Sequence, residues 1–230
     1  MIAVISDIHG CVNTLKKLVK EIRKKYPEIP LYSVGDLVDR GKFGFDVIEY
    51  IVNNKINFVP GNHEYMFYYF MKDPFSDMGR NWLYNGYETT LLSYDGHHNK
   101  LDKHLKLIKE APMYFNLEDC FISHAGISID FEDDIIKNGK LDISSLDKII
   151  MENLLSENSI VWTRNELVNL GKLQIVGHTR KEEIQFDKKS HTLYIDTSAY
   201  AGNKLTAVII DKNEMVDTIQ EFTNEKDLMN

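Results

Sequence analysis

The sequence predicts an α/β protein in which two packed, mixed β-sheets are flanked by helices and carry a helical insertion. Short apolar runs alternate with helical patterns over the first 60 residues, which indicates parallel strands joined by right-handed crossovers. Closely spaced strand patterns after residue 172 indicate an antiparallel second sheet. A chain of 230 residues, 43% of them hydrophobic, is long enough to bury a core. We therefore expect one domain over residues 1–230.

The first part of the chain alternates strands and helices. The strands are short runs rich in β-branched residues, and the helices carry apolar residues three and four positions apart. This pattern predicts strands at residues 2–6, 31–34 and 56–59, separated by helices at 12–26 and 45–52.

The alternation of strands and helices stops at residues 64–110, where we expect a helical insertion over one edge of the core. An aromatic- and Met-rich run at 64–71 predicts a buried helix, and a second helix is predicted at 101–110. The stretch between them is irregular and contains Trp82. Core packing is the expected role of these aromatic side chains, rather than stacking on a substrate.

The remainder of the chain is expected to return to strands. A largely helical, acid-rich excursion is predicted at 132–159, and the last few residues are polar and expected to fray. The predicted strands lie at 114–117, 120–123, 173–176, 183–186, 193–196, 205–211 and 215–220.

Charge and cysteine content exclude several classes of protein. Thirty-five acidic and 27 basic residues give a net charge of -8, which argues against nucleic-acid or anionic-membrane partners. Cys11 and Cys120 share no metal-type spacing and exclude a disulfide framework, so a reducing, cytoplasmic setting is expected. The opening apolar run is too short for a signal peptide, and no stretch approaches the ~18 apolar residues of a membrane helix.

Polar residues follow five of the predicted strands at the point where each strand ends. Loops after the carboxyl ends of neighbouring strands converge on one crevice, so these side chains are expected to meet. A histidine after a strand is by itself more often structural than a ligand, but five such junctions in order favour a metal site. Carboxylate, amide and imidazole donors suit Mn, Fe or Zn, and six donors suit two ions better than one. The candidate ligands are Asp7, His9, Asp36, Asn62, His124 and His178.

The candidate ligands lie in three short motifs, SDIHG at 6–10, GDLVDRG at 35–41 and GNHE at 61–64, and at the two later histidines. This set of motifs resembles the calcineurin-like metallophosphoesterases, and among them the phosphoprotein phosphatases of bacterial and phage type. Ser6 stands where the family usually has Gly. The segment at 82–94 is similar to the insertion of the bacterial subgroup, with Tyr87 in place of a second Gly.

The resemblance implies a site with two divalent ions, with Mn²⁺ expected and Fe or Zn as alternatives. It implies that Asp7 and His9 hold one ion and that Asp36 bridges to the second. Asn62, His124 and His178 would complete the second ion's ligands.

The resemblance also implies the catalytic roles. His63 would protonate the leaving group and Asp39 would orient His63, while a hydroxide bridging the ions attacks phosphorus in line. Arg40 and Arg164, together with Asn62, would bind phosphate oxygens, because guanidinium forks match two oxygens at once.

The expected function is a phosphomonoesterase, specifically a serine/threonine protein phosphatase acting on a phosphorylated protein or peptide. The main alternative is a diadenosine tetraphosphate hydrolase, whose substrate is a nucleotide. The symmetric hydrolases of this kind typically lack the residue matching Asp39 and have GNHD in the third motif, so Asp39 and Glu64 favour the phosphatase. The net charge disfavours a nucleic-acid end phosphatase. A non-catalytic binding module would have lost a ligand or His63, and none is lost.

Residues outside the motifs are expected to have ordinary roles. Tyr200, shortly after Asp196, is a candidate for lining the pocket. Cys11 is expected to be a small residue at a helix start, and Cys120 to lie in the core of a strand. The remaining histidines, which are expected at the surface, are His97, His98, His104 and His191.

Overall fold

The computed structural model describes residues 1–229, and across this range the chain forms two large β-sheets, a small hairpin and eight α-helices. The strands are β1 Ile2–Ile5, β2 Leu31–Ser33, β3 Asn57–Phe58, β4 Tyr114–Asn116, β5 Phe121–Ser123, β6 Ile136–Lys137, β7 Lys140–Leu141, β8 Gln174–Val176, β9 Gln185–Asp187, β10 Thr192–Tyr194, β11 Lys204–Asp211 and β12 Glu214–Phe222. The helices are α1 Val12–Lys25, α2 Gly44–Asn53, α3 Asn62–Lys72, α4 Asp77–Trp82, α5 Tyr87–Ser93, α6 Leu101–Glu110, α7 Glu132–Ile135 and α8 Ile143–Asn153.

The first sheet has the strand order β12-β11-β1-β2-β3, and the second has the order β4-β5-β8-β10-β9. Strands β1, β2 and β3 pair in parallel, as predicted, while β11 pairs antiparallel with β1 and β12. In the second sheet β5, β8 and β10 are parallel, and β4 and β9 are antiparallel edge strands. The predicted class, two mixed sheets flanked by helices, is confirmed.

The prediction that the closely spaced strands after residue 172 form one antiparallel sheet was wrong. Strands β11 and β12 join the first sheet, and β8 and β10 pair in parallel. Strand β11 is buried along residues 205–210 because it lies in the interior of the first sheet, where it covers the edge of β1. Short spacing between strands therefore did not determine which strands pair.

The two sheets enclose a shared core. Val4 and Val208 of the first sheet pack with Ile122, Ile175 and Leu193 of the second, all of them buried. A second apolar layer lies between the outer face of the first sheet and α1 and α2, and helix α8 covers a third apolar cluster beside β5. This packing holds the strand ends, and thus the loops after them, in fixed positions.

Helix α1 is capped by the C-terminal tail. The thiol of its N-cap residue Cys11 points to the carbonyl of His9, at 3.4 Å. Asp227 instead accepts hydrogen bonds from the backbone N–H groups of Asn13 and Thr14, at 3.0 and 2.8 Å. Its own carbonyl accepts from the N–H of Lys42 at 3.0 Å. The expected fraying of the tail was therefore wrong for Asp227, which is buried because its carboxylate satisfies a helix N-terminus.

The acid-rich excursion is largely helical, as predicted, with one addition. Strands β6 and β7 form a hairpin across Asn138-Gly139, both with positive φ. An Asn-Gly pair favours this two-residue turn, and the sequence carried that signal.

Candidate dimetal centre

The predicted ligands converge at the carboxyl ends of β1, β2, β5 and β8 and at the start of α3. Backbone hydrogen bonds join the loop after β1 to the loop after β2. The N–H groups of Ile8 and His9 donate to the carbonyl of Asp36 at 3.0 and 2.7 Å. The backbone of the loops that carry the candidate ligands is strained, because non-glycine residues adopt positive φ there. These residues are His9, Asp36, Asp39, Arg40 and His178.

Two glycines let the loops approach the site closely. A Cβ at Gly61 would strike the carboxylate of Asp36, and a Cβ at Gly177 would strike that of Asp7. Only glycine leaves room for the two carboxylates at these positions.

Asp36 lies between two groups of potential ligands. Its Oδ2 is 3.4 Å from Nε2 of His9, and its Oδ1 is 3.5 Å from Nε2 of His124. The groups His9–Asp36–His63 and Asp36–His124–His178 each have ligand atoms within 4.8 Å of one another. Asp36 belongs to both groups, which is the position that a bridging carboxylate needs.

Each candidate histidine ligand is anchored through one ring nitrogen to a backbone carbonyl. His9 Nδ1 is 2.9 Å from the carbonyl of Val38, and His124 Nδ1 is 2.7 Å from that of Val34. His178 uses Nε2, which is 3.0 Å from the carbonyl of Trp162. Such second-layer bonds are typical of metal-binding histidines, because they fix the tautomer and turn the other nitrogen inward.

In the group Asp36–His124–His178, the histidine ring nitrogens that face the centre lie close to the side chain of Asn62. Its Oδ1 lies 3.1 Å from His124 Nε2 and 3.0 Å from His178 Nδ1. An amide oxygen shared by two imidazole nitrogens would complete the ligands of one ion.

Asp7 supplies the observation that fits a metal best. Its Oδ2 accepts a hydrogen bond from the backbone N–H of His178 at 2.9 Å, whereas its buried Oδ1 has no hydrogen-bond partner among residues 1–229. Burial raises the pKa of Asp7, and the charges of Asp196 and Asp36 raise it further. A buried, unsatisfied carboxylate oxygen beside two other carboxylates is an environment that a bound cation would stabilise.

The protonation states of His9, His178 and Asp36 also suit metal binding. Burial lowers the pKa of His9 and of His178 well below the ordinary value, so both rings are neutral at pH 7. Burial alone would raise the pKa of Asp36, but the surrounding histidines together hold it below its usual range. Neutral imidazole and ionised carboxylate are the forms that bind a cation.

His63 and Asp39 form a buried pair beside the ligands. His63 Nδ1 is 2.7 Å from Asp39 Oδ2, and the His63 ring lies edge-on to His9 with ring centroids 4.7 Å apart. The bond to Asp39 engages Nδ1 and leaves Nε2 as the nitrogen that can exchange a proton with a substrate. The pair therefore has the geometry that its predicted general-acid role requires.

Arg40 and Arg164 lie near different candidate ligands. The Arg40 guanidinium stacks over the Tyr200 ring at 4.5 Å and places Nη1 3.0 Å from His9 Nε2. Arg164 is exposed, and its charge contributes to the lowered pKa of His178, after burial and His124. Either side chain can present two N–H groups to a phosphate.

Two clefts lie near the ligand groups. The Arg164 cleft, of about 420 Å³, is lined by Met78, Asn81, Leu155, Trp162, Arg164 and Asn165, among others. The carbonyl of Trp162 contacts His178, so this cleft adjoins the second ligand group.

The Arg180 cleft, of about 580 Å³, is lined by Arg180, Lys181, Glu182, Glu183, Ser198 and Asn203. Arg180 donates to the Tyr200 hydroxyl at 2.7 Å, and the Tyr200 ring lies 4.9 Å from that of His9, so this cleft adjoins the first group.

Glu64 joins the loop after β2 to the loop after β3 through hydrogen bonds. Its Oε1 accepts from the N–H groups of Leu37 and Val38, at 2.7 and 3.1 Å, and its Oε2 accepts from that of Gly61 at 2.8 Å. Burial raises the pKa of Glu64 to about 8. Glu64 is fully buried and bonded to backbone, so it shapes the loops and does not face a substrate.

Two departures from the family motifs have local explanations. The hydroxyl of Ser6 accepts a hydrogen bond from the N–H of Thr206 at 3.2 Å, inside the first sheet. Tyr87 packs against Trp82, with ring centroids 5.7 Å apart.

The expectations for residues outside the motifs were met with one exception. Tyr200 lies against His9 and Arg40, and Cys11 and Cys120 are buried. His97 and His98 are exposed, and His191 is half-buried. The surface position expected for His104 was wrong, because this residue is buried between the Tyr94 hydroxyl and the Glu49 carboxylate, at 2.7 and 2.8 Å. Its place on the apolar face of α6, beside Leu101, Leu105 and Ile108, was the signal for burial.

Sequence reasoning did not identify three side chains that contact the site. Arg180 reaches Tyr200 as described above, and Trp82 and Thr90 bond directly to Asp39. The similarity of segment 82–94 to the bacterial insertion was the available signal for Trp82 and Thr90. Arg180 follows His178 by two positions, which was the signal for its proximity.

A family model for calcineurin-like phosphoesterases matches residues 1–193, and the chain belongs to this family of metallophosphoesterases, which use a dimetal centre. A bis(5'-nucleosyl)-tetraphosphatase PrpE [asymmetrical] of Bacillus cereus (strain Q1) is 30% identical over 238 residues, covering 93% of this chain and 92% of the relative. A solved structure provisionally described as a diadenosine tetraphosphatase has a TM-score of 0.60 at 18% identity, covering 97% of this chain and 94% of the other. A cold-active protein-tyrosine phosphatase from a Shewanella species has a TM-score of 0.63 at 17% identity, covering 97% and 80%. Among residues 1–229, no helix is both long and apolar enough to cross a membrane.

Proposed function

We propose that this chain is a dinucleoside polyphosphate hydrolase that cleaves diadenosine tetraphosphate or a close analogue. The observation that supports this most is a centre suited to binding phosphate with two clefts near it, one beside each ligand group. The similarity to PrpE over nearly the full length of both chains supports the same substrate class.

The clefts match the two ends of such a substrate. A phosphomonoester has one organic group and needs room on one side of the phosphorus, whereas a dinucleoside polyphosphate carries a nucleoside at each end. The half-buried Trp162 offers an apolar surface in the Arg164 cleft, and Tyr200 does so beside the Arg180 cleft. Arg40 and Arg180 could bind the intervening phosphates despite the net charge of -8.

The residues that first favoured a protein phosphatase do not oppose this proposal. Asp39 and Glu64 separate the chain from the symmetric hydrolases, whereas the PrpE relatives are named asymmetrical. Glu64 is also buried among backbone N–H groups, so its identity reports on loop geometry rather than on the substrate.

A serine/threonine protein phosphatase remains the second candidate, and the buried His63–Asp39 pair favours it. The alkoxide released from a phosphorylated serine or threonine is strongly basic and gains most from a proton donor. A polyphosphate leaving group is far less basic and gains less.

Catalysis is proposed to divide the work among the residues as follows. When bound, two divalent ions would supply positive charge at the phosphate and lower the pKa of the attacking water, and we expect Mn²⁺, with Fe or Zn as alternatives. Arg40 and Arg164 bind the phosphate oxygens and orient the phosphorus for in-line attack. His63 holds a proton on Nε2 and gives it to the departing oxygen, while Asp39 fixes the ring. The residues that would hold the ions are Asp7, His9, Asp36, Asn62, His124 and His178.

Product analysis tests the proposal. The protein would be stripped with chelator, restored with Mn²⁺ and given diadenosine tetraphosphate, with the nucleotides separated by chromatography. ATP and AMP in equal amounts are the expected products of asymmetric cleavage. Two molecules of ADP would place the chain among symmetric hydrolases, and an intact dinucleotide alongside phosphate release from a phosphothreonine peptide would overturn the proposal in favour of the second candidate.

A further inference from the structure

We propose that Trp82 and Thr90 are positioning residues that hold the Asp39–His63 pair in place for proton transfer. Both lie in residues 64–110, which run from α3 to α6 and are called the helical segment below. The inference does not depend on which phosphate ester is the substrate, because a departing oxygen is protonated by the same pair in either case.

The helical segment satisfies both oxygens of the Asp39 carboxylate. The indole Nε1 of Trp82 donates to Oδ2 at 2.8 Å, and the hydroxyl of Thr90 donates to Oδ1 at 2.6 Å. His63 also bonds to Oδ2, at 2.7 Å. All four side chains are buried, so water does not compete for these bonds.

The same segment supports the strained backbone around Asp39. Asp39 and Arg40 have φ of 67° and 69°, a region that costs free energy for residues with a side chain. The N–H of Asp39 donates to the Thr90 hydroxyl at 2.9 Å, and the N–H of Arg40 donates to the carbonyl of Gly86 at 3.2 Å. Gly86 lies directly against the Arg40 side chain, where a Cβ would be crowded.

These contacts determine which way His63 faces. With both oxygens of Asp39 held by the helical segment, the carboxylate accepts from His63 Nδ1 in one orientation, which leaves Nε2 free for a departing oxygen. Loss of either donor would let the carboxylate rotate and loosen His63. The ligand residues would stay in place, because their anchors are the carbonyls of Val34, Val38 and Trp162.

Adjacent threonines on α5 provide a matched test. Thr90→Val removes the hydroxyl that bonds to Asp39, whereas Thr89→Val removes a buried hydroxyl that bonds to the carbonyl of Gly86 at 3.1 Å. Thr90→Ser restores the hydroxyl. The Mn²⁺-loaded variants would be compared on phenyl phosphate, with a basic leaving group, and on p-nitrophenyl phosphate, with a weakly basic one.

Thr90→Val should lower kcat about tenfold on phenyl phosphate and about twofold or less on p-nitrophenyl phosphate, because the second substrate needs little protonation. Thr89→Val should affect the two substrates equally and only slightly, because its bond to Gly86 does not involve Asp39, and Thr90→Ser should retain most of the activity. Trp82→Phe should act in the same direction as Thr90→Val. Equal losses on the two substrates would indicate a merely structural role and overturn the proposal.

A spectroscopic measurement on the metal-free protein decides the question even if neither aryl phosphate is cleaved. The Nδ1 proton of His63 should give a downfield resonance, assigned by its disappearance in His63→Gln. We expect Thr90→Val to shift or broaden this resonance, while Thr89→Val leaves it in place, at comparable unfolding midpoints of the two variants. An unchanged His63 resonance in Thr90→Val would contradict the proposal.

Discussion

The loops that follow the strands and the helical segment both contact the His63–Asp39 pair, but the sequence encodes these two regions differently. The loops carry the candidate ligands in short motifs, and their geometry is imposed by strained backbone and by carbonyl anchors such as that of Val38. The helical segment acts through single side chains, Trp82 and Thr90, that are distant from Asp39 in the sequence. The first region therefore specifies the chemistry, and the second specifies how well the chemistry is oriented.

Replacement of Asp36 is expected to cause the largest loss of turnover and of metal binding. Because Asp36 faces both ligand groups, Asp36→Asn should lower turnover on the order of 10³-fold and weaken metal binding. Metal content after dialysis and turnover with Mn²⁺ are the measurements, and Asp46→Asn, at an exposed position of α2, is the control. Normal metal content and activity in Asp36→Asn would remove the basis for the proposed site.

His63→Ala separates the proton donor from the ligands. Turnover should fall about 10²-fold on a substrate with a basic leaving group, and much less on p-nitrophenyl phosphate. Steady-state kinetics on both substrates, together with metal content, distinguish the roles. Similar losses on both substrates with reduced metal content would instead make His63 a ligand, a position that its closeness to His9 and Asp36 allows.

Arg180→Ala tests the cleft that sequence motifs did not reveal. The variant should raise KM for diadenosine tetraphosphate about tenfold, because it removes one charged contact to a non-reacting phosphate, and should leave p-nitrophenyl phosphate kinetics unchanged. Lys188→Ala, at an exposed position outside the cleft, is the matched control. An unchanged KM for the dinucleotide would exclude this cleft from substrate binding.

Asp227→Ala tests the cap on α1. The free energy of unfolding should fall by about 1–3 kcal/mol, because the donors of Asn13 and Thr14 lose their acceptor. Denaturant unfolding of this variant and of Glu225→Gln, an exposed neighbour, gives the comparison. Equal stability of the two variants would mean that water replaces the carboxylate.

Much of the first region could be predicted from sequence because its information is local. Asp7 and His9 follow a readable strand, and Asn62 and His63 follow another, so strand ends predicted a shared crevice. The placement of β11 could not be read in this way, since spacing along the chain does not identify which strand edge needs a partner.

Contacts between distant side chains explain most of what the sequence did not show. Trp82 meets Asp39 across 43 residues, and Asp227 meets Thr14 across 213. A Trp predicts burial and an Asp predicts exposure or a turn, but neither residue identifies its hydrogen-bond partner. His104 is the exception, because its position on an apolar helix face indicated burial.

The proposal that this metallophosphoesterase is a dinucleoside polyphosphate hydrolase is tested most directly by one ratio. We would measure kcat/KM for diadenosine tetraphosphate and for a phosphothreonine peptide with the same Mn²⁺-restored preparation. The two clefts near the centre predict a clear preference for the dinucleotide, with ATP and AMP as products. A preference for the peptide would contradict the proposal and identify a protein phosphatase.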